Sequence, residues 1–156
     1  EPVVFVASPA FWAQKYAECE KNGTVKWSTK TVGQEEISVR QITLDQILQE
    51  PFFLTEKNAN YRQALDQHLA SCRCCLSPVL EISDTAFIIQ MLEQSRGLSF
   101  LPLFAVQKQI WEGTLAAVEV DDVEISMYRQ IFYHKNKFRT REMEQFIIFA
   151  SEEENH

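Results

Sequence analysis

Between Pro51 and Thr114 the chain repeats one pattern three times: a short apolar run, a polar or proline-marked turn, then an amphipathic helix. Phe52-Phe53-Leu54 leads through Thr55-Glu56-Lys57-Asn58-Ala59-Asn60 into the first helix. Val79-Leu80-Glu81-Ile82 leads into Ser83-Asp84, and Leu98-Ser99-Phe100-Leu101 into Pro102. Strands alternating with helices at this spacing imply βαβ units and a parallel sheet, hence an α/β fold. Such sheets bind ligands beyond the carboxyl ends of their strands, where these turns fall. The segment reads as a ligand-sensing lobe.

The helices follow from their apolar spacing. Tyr61, Ala64, Leu65, His68 and Leu69 make a core-facing stripe. On that stripe His68 reads as a core or edge histidine rather than a ligand. Phe87, Ile88, Met91 and Leu92 mark a second helix, capped by Ser83 or Asp84 and stopped at Gly97 as its C′ residue. Val106, Ile110 and Trp111 mark a third, opened by Pro102 and stopped at Gly113.

Outside this segment the signals differ. Val3–Ala7 reads as a buried strand ended by Ser8-Pro9. The polar stretch Lys15–Glu36 reads as a long loop, with turn signals at Asn22-Gly23 and Gly33 and a short strand around Val25 and Trp27. Thr43 is placed to cap a short helix ending near Gln49. Leu115–Val120 and Met127–His134 read as strands, and Lys135–Arg141 as a basic turn. A last helix follows Thr140, with Met143, Phe146, Ile147 and Ala150 on one face.

With 156 residues, 46% of them hydrophobic, the chain can bury a core as one domain or two small lobes. A net charge of −7 argues against direct contact with nucleic acid or an anionic membrane surface. No apolar run approaches a membrane span, and no basic run before Val3 suggests a secretion signal. Three of the four cysteines, Cys72, Cys74 and Cys75, crowd into four positions, and Cys19 stands apart. That spacing fits neither a disulfide framework nor paired CxxC zinc ligands. Reduced thiols in the cytoplasm are the plainer reading, and a redox or metal role for the cluster is the alternative. No Ser-His-Asp arrangement, phosphate loop or HExxH motif is present, so no enzyme activity, metal or cofactor is expected.

Several stretches resemble the effector-binding domain of LysR-type transcriptional regulators. Glu1–Ala10 is similar to the family's strand and Ser-Pro-x-His-Pro-Leu-Ala-like turn. Ile42–Leu54 resembles its short helix and entry strand, and Gln94–Pro102 its Gly-x-Gly-Ile-x-x-Leu-Pro element. Trp111–Leu115 is similar to the exit from its last lobe helix.

The resemblance implies a periplasmic-binding-protein-like (type 2) fold of two lobes. Residues 51–114 would form a complete second lobe, and residues 1–50 with 115–156 part of the first. The opening of lobe one and the DNA-binding helix-turn-helix would precede Glu1. A small, anionic effector would sit between the lobes, against Thr55, Asn58, Asn60, Tyr61, Ser83, Leu101 and Pro102. DNA would be reached only through the missing domain, and the protein would be at least a dimer. A fragment of a periplasmic solute-binding protein is the alternative, since the fold is shared.

Overall fold

The computed structural model describes residues 1–23, 26–32, 35–94, 97–121, 123–128, 132, 134 and 138–152; for 26–32, 35–41 and 151–152 it describes the backbone alone. Along the chain come β1 (Pro2–Ala7), α1 (Pro9–Lys21), β2 (Lys26–Val32), β3 (Glu35–Thr43) and α2 (Leu44–Ile47). Next are β4 (Phe53–Leu54), α3 (Asn60–Ser71), β5 (Leu80–Glu81), α4 (Thr85–Gln94), β6 (Leu98–Pro102) and α5 (Leu103–Glu112). The last are β7 (Ala116–Val118), β8 (Val120–Asp121), β9 (Ile125–Ser126) and α6 (Arg141–Glu152).

The three repeats form the expected parallel array. β4 and β5 pair in parallel, Phe53 opposite Leu80 and Leu54 opposite Glu81. A parallel bridge between Phe52 and Leu98 places β6 on the other side of β4. β1 then pairs antiparallel with β6, from Val3 opposite Pro102 to Ala7 opposite Leu98, and β7 pairs antiparallel with β1. The lateral order is therefore β5-β4-β6-β1-β7, with only β1 reversed. β9 pairs with the start of β1, at Pro2 and Val3. The expected lobe boundary at Pro51 and Thr114 is not a boundary of this sheet: β1 and β7 lie outside 51–114, yet β1 is hydrogen-bonded to β6.

Period-two alternation divides the strand side chains between two cores. Val3, Phe5 and Ala7 of β1, with Leu98 and Phe100 of β6, meet Leu65 and Leu69 of α3. Val6 and Leu101 face the other way, onto Ile88, Ile89 and Leu92 of α4 and Val106 of α5. Helices thus cover both faces, which is why these strands read as unbroken apolar runs.

The expected loop over Lys15–Glu36 instead holds the second half of α1, then β2, which contains the Trp27 expected in a short strand, and the first two residues of β3. α1 starts where Ser8 Oγ accepts a hydrogen bond from Phe11 N at 3.3 Å, with Pro9 at its first position. Phe11, Trp12 and Cys19 are its buried residues, a stripe diluted by the half-buried Lys15 and Tyr16 between them. Trp12 Nε1 donates to Ala116 O at 2.8 Å, and Lys15 pairs with Glu50. Burial pulls the Lys15 pKa down, but the hydrogen bond and attraction of Glu50, with the charge of Glu18, outweigh it and leave it raised. β2 and β3 pair antiparallel from Lys26 opposite Gln41 to Val32 opposite Glu35. Gly33 lies outside the described residues, whereas Gly23 has the turn conformation expected of it, at φ 65°.

Other boundaries shift. The strand expected over Leu115–Val120 is split: β7 pairs with β1, and β8 pairs in parallel with β3. Much of Met127–His134 and of Lys135–Arg141 lies outside the described residues, and Met127, Tyr128, Phe132 and His134 are not in strands. In α6, Thr140 Oγ1 caps Met143 N at 3.3 Å; Met143, Ile147 and Ala150 are half-buried, but Phe146 is exposed. Gly97 serves close approach rather than a left-handed cap: a Cβ there would run into the Phe53 ring. Gly113, at φ 74°, is the left-handed cap that ends α5.

α3 ends in a left-handed cap without glycine. Cys74 N donates to Leu69 O at 2.9 Å and Arg73 N to Ala70 O at 3.1 Å, the two bonds of a Schellman motif. Its left-handed residue is Arg73, at φ 57°, where an L side chain is strained. Arg73 is exposed, so Arg73→Gly removes strain and little else. Arg73→Gly is expected to raise stability by about 0.5–1 kcal/mol in urea unfolding. A lowered midpoint would refute the strain.

Candidate functional site

Because β4, β5 and β6 run the same way, their carboxyl ends open on one edge of the sheet. Thr55 follows β4 there, Ser83 lies just beyond β5, and Leu101 and Pro102 end β6.

The seven residues expected at the site have different surroundings. Thr55 is buried, and its hydroxyl has no hydrogen-bond partner in the protein. Asn58 and Asn60 are exposed, and Tyr61 is half-buried against both cores. These four gather at the start of α3. Its N-cap is Ala59, which offers no side-chain cap, and the first intrahelical bond runs from Gln63 N to Ala59 O at 2.9 Å. The backbone N–H groups before Gln63 are thus free of intrahelical acceptors and carry the positive end of the helix dipole. Ser83 is exposed; the cap of α4 is Asp84, whose Oδ1 accepts from Phe87 N at 3.1 Å. Leu101 and Pro102 are buried, and the Leu101 side chain belongs to the core beneath α4 and α5. At β6, therefore, backbone rather than the Leu101 side chain faces the edge.

Arg62 was not expected here. It is 2% exposed. Its Nε donates to both Asp66 oxygens, at 3.0 and 3.1 Å, and its Nη1 to Thr55 O at 2.9 Å and Glu81 Oε2 at 3.3 Å. One guanidinium thus ties the turn after β4 to α3 and to the end of β5. Two signals pointed to it: Arg62, Leu65 and Leu69 fall at i, i+3 and i+7, and Asp66 stands four residues on. With the Asp66 and Glu81 carboxylates on it, the charge of the Arg62 guanidinium is answered within the protein.

A hollow of about 680 Å³ lies elsewhere. It is lined by Pro2–Phe5 of β1, His68, and parts of Val118–Ser126 including Glu119, Asp121 and Glu124. None of the seven residues lines it, and its carboxylates would repel an anion. The strand-end edge carries a buried hydroxyl without a partner, on Thr55, and, at the start of α3, N–H groups without intrahelical acceptors. Among the described residues, no three His, Cys, Asp or Glu side chains are grouped to hold a metal ion. Nor, among them, is any helix long and apolar enough to cross a membrane.

The family model described as LysR substrate binding domain matches residues 36–154. The chain belongs to that family. It is 24% identical over 119 residues to the HTH-type transcriptional activator CmpR of Synechocystis sp. (strain ATCC 27184 / PCC 6803 / Kazusa), a match covering 75% of this chain and 39% of CmpR. Among solved structures it resembles the Synechocystis PCC6803 CcmR regulatory domain in complex with 2-PG, with a TM-score of 0.61, 14% identity, and coverage of 95% of this chain and 60% of that one. It resembles the AmpR effector domain of Pseudomonas aeruginosa at a TM-score of 0.58, with 11% identity and coverage of 97% and 60%. The QuiR effector-binding domain in complex with shikimate matches at a TM-score of 0.57, with 11% identity and coverage of 95% and 58%. These likenesses carry the fold: α/β, of the type 2 periplasmic-binding-protein kind. The relatives are LysR-type regulators rather than enzymes. The chain spans well under half the length of CmpR and about three fifths of each of these solved domains.

Proposed function

We propose that this chain is the effector-sensing part of a cytoplasmic LysR-type transcription regulator, and that it binds a small organic anion at the start of α3. The buried, unpartnered Thr55 hydroxyl, at the edge where three parallel strands end, carries this reading. A ligand anion would take backbone N–H groups at Asn60 and Tyr61, with Thr55, Asn58 and Asn60 as neutral partners and Ser83 and the Leu101-Pro102 backbone as the far rim. Two structural neighbours hold small ligands, 2-PG and shikimate. The site would face a cleft between the lobe that residues 51–114 build together with β1 and β7 and a second lobe to which other parts of 1–50 and 115–156 contribute. Ligand binding shifts the lobes through its differential affinity for two conformers, and a dimer passes that shift to N-terminal DNA-binding domains.

The test is a thermal-shift screen of small organic acids on the full-length regulator. A bound acid at a hundred times its dissociation constant should stabilise by about 2.7 kcal/mol. Thr55→Val should weaken that acid about tenfold while leaving the unliganded protein at least as stable, since an unsatisfied hydroxyl is removed. A panel without a stabilising acid, or an unchanged affinity in Thr55→Val, would overturn the site.

A further inference from the structure

We propose that Asn22 is a self-modifying site: with Gly23 it closes to a succinimide that reopens as isoaspartate, and this ageing step unfastens the end of α1. Asn22 is the C-cap of α1, and Gly23 follows it. Lys21, Asn22 and Gly23 are all exposed. Imide closure needs the Gly23 backbone nitrogen to reach the side-chain carbonyl carbon of Asn22, and a side chain at residue 23 would stand in the way. Glycine has none, and the space a Cβ would take is itself open, with nothing within 4 Å. One bond restrains the nitrogen: Gly23 N donates to Glu20 O at 3.1 Å. That bond lies just past the helix, where ends fray, so opening it costs little. Asn58 and Asn60 are also exposed, but they precede Ala59 and Tyr61, whose side chains hinder the same closure.

The step balances with water as its sole co-reactant. The Gly23 nitrogen attacks Cγ of Asn22: the N–Cγ bond forms, the Cγ–Nδ2 bond breaks, and ammonia leaves with the amide proton. Water then opens the ring. Breaking N–Cγ gives aspartate, whereas breaking the bond from that nitrogen to the main-chain carbonyl carbon gives isoaspartate, with the chain now routed through Cβ. Either product adds a carboxylate at the negative end of α1, in a turn that already carries Glu18 and Glu20, and Lys21 answers it only in part. Isoaspartate also lengthens the main chain by an atom, so Gly23 N no longer meets Glu20 O. The last turn of α1 loosens, and Cys19, 5% exposed within it, becomes reachable.

The whole chain is incubated in warm, mildly alkaline buffer and sampled by tryptic mapping with electron-transfer fragmentation. Trypsin releases Asn22–Lys26, which should gain the mass difference between a hydroxyl and an amino group and show the isoaspartate fragments. Folded protein should convert no more than about tenfold slower than urea-unfolded protein, as a fraying end allows. In the converted protein Cys19 should alkylate severalfold faster, while Asn22→Gln aged alongside should keep the fresh rate. Protection far beyond tenfold, conversion at Asn22 no faster than at Asn58, or an unchanged Cys19 rate after full conversion would overturn the proposal.

Discussion

Phe5→Ala is expected to lower unfolding stability by about 3–5 kcal/mol. Phe5 sits in the middle of β1, 2% exposed. Its backbone stands opposite Phe100 on one side and Val118 on the other. Its ring meets Phe52 edge-on, centroids 6.4 Å apart at 74°, and Phe100 at 4.8 Å. Alanine loses the transfer energy of the ring and leaves a cavity between two strands held at fixed spacing. The half-exposed Phe104 on α5 is the control, and its replacement by alanine should stay within about 0.5 kcal/mol. Urea unfolding measures both. A loss below about 1.5 kcal/mol at Phe5 would mean that β1 is not part of this core. The result bears on organisation as well: a folding unit confined to 51–114 would not register a change at residue 5.

What could be read in the sequence was whatever depended on period and punctuation. The three strand–helix repeats and the caps at Thr140 and Gly113 are local signals, and each appears where its residues predict. α1 was missed because its buried face is interrupted by Lys15 and Tyr16, so composition outweighed period. The place of β1 beside β6 was illegible for another reason. Pairing between residues 3–7 and 98–102 is a long-range choice, and an unbroken apolar run fits either neighbour. At the site, polar turns pointed to Thr55, Asn58 and Asn60 at one end of α3. At Leu101 only the backbone stayed at the edge, because being at the end of a strand says nothing about which face the side chain takes. Arg62 was overlooked because an arginine on an apolar stripe reads as surface until its partners are known; two of them, Thr55 O and Glu81, lie 7 and 19 residues away.

Arg62→Ala is expected to cost about 2–3 kcal/mol and to loosen the turn that presents Thr55. Removing a buried partner of an ion pair typically costs about 3–5 kcal/mol, because the other charge is left unsolvated. Here the cost is discounted: the Asp66 and Glu81 side chains are 38% and 35% exposed, so water can take over their carboxylates. The Thr55 carbonyl, on a residue only 4% exposed, has less recourse to water. Arg62→Lys should not restore the loss, since a single ammonium cannot bond Asp66, Glu81 and Thr55 O in the directions the planar fork uses. Arg62→Met separates charge from packing by keeping an apolar stem along α3. If the network matters, alanine, lysine and methionine should all weaken binding of any acid found in the screen, with methionine recovering part of the urea stability but none of the affinity. Equal affinity in wild type and Arg62→Met would mean that the guanidinium only fills space, and that the turn after β4 holds its shape without it.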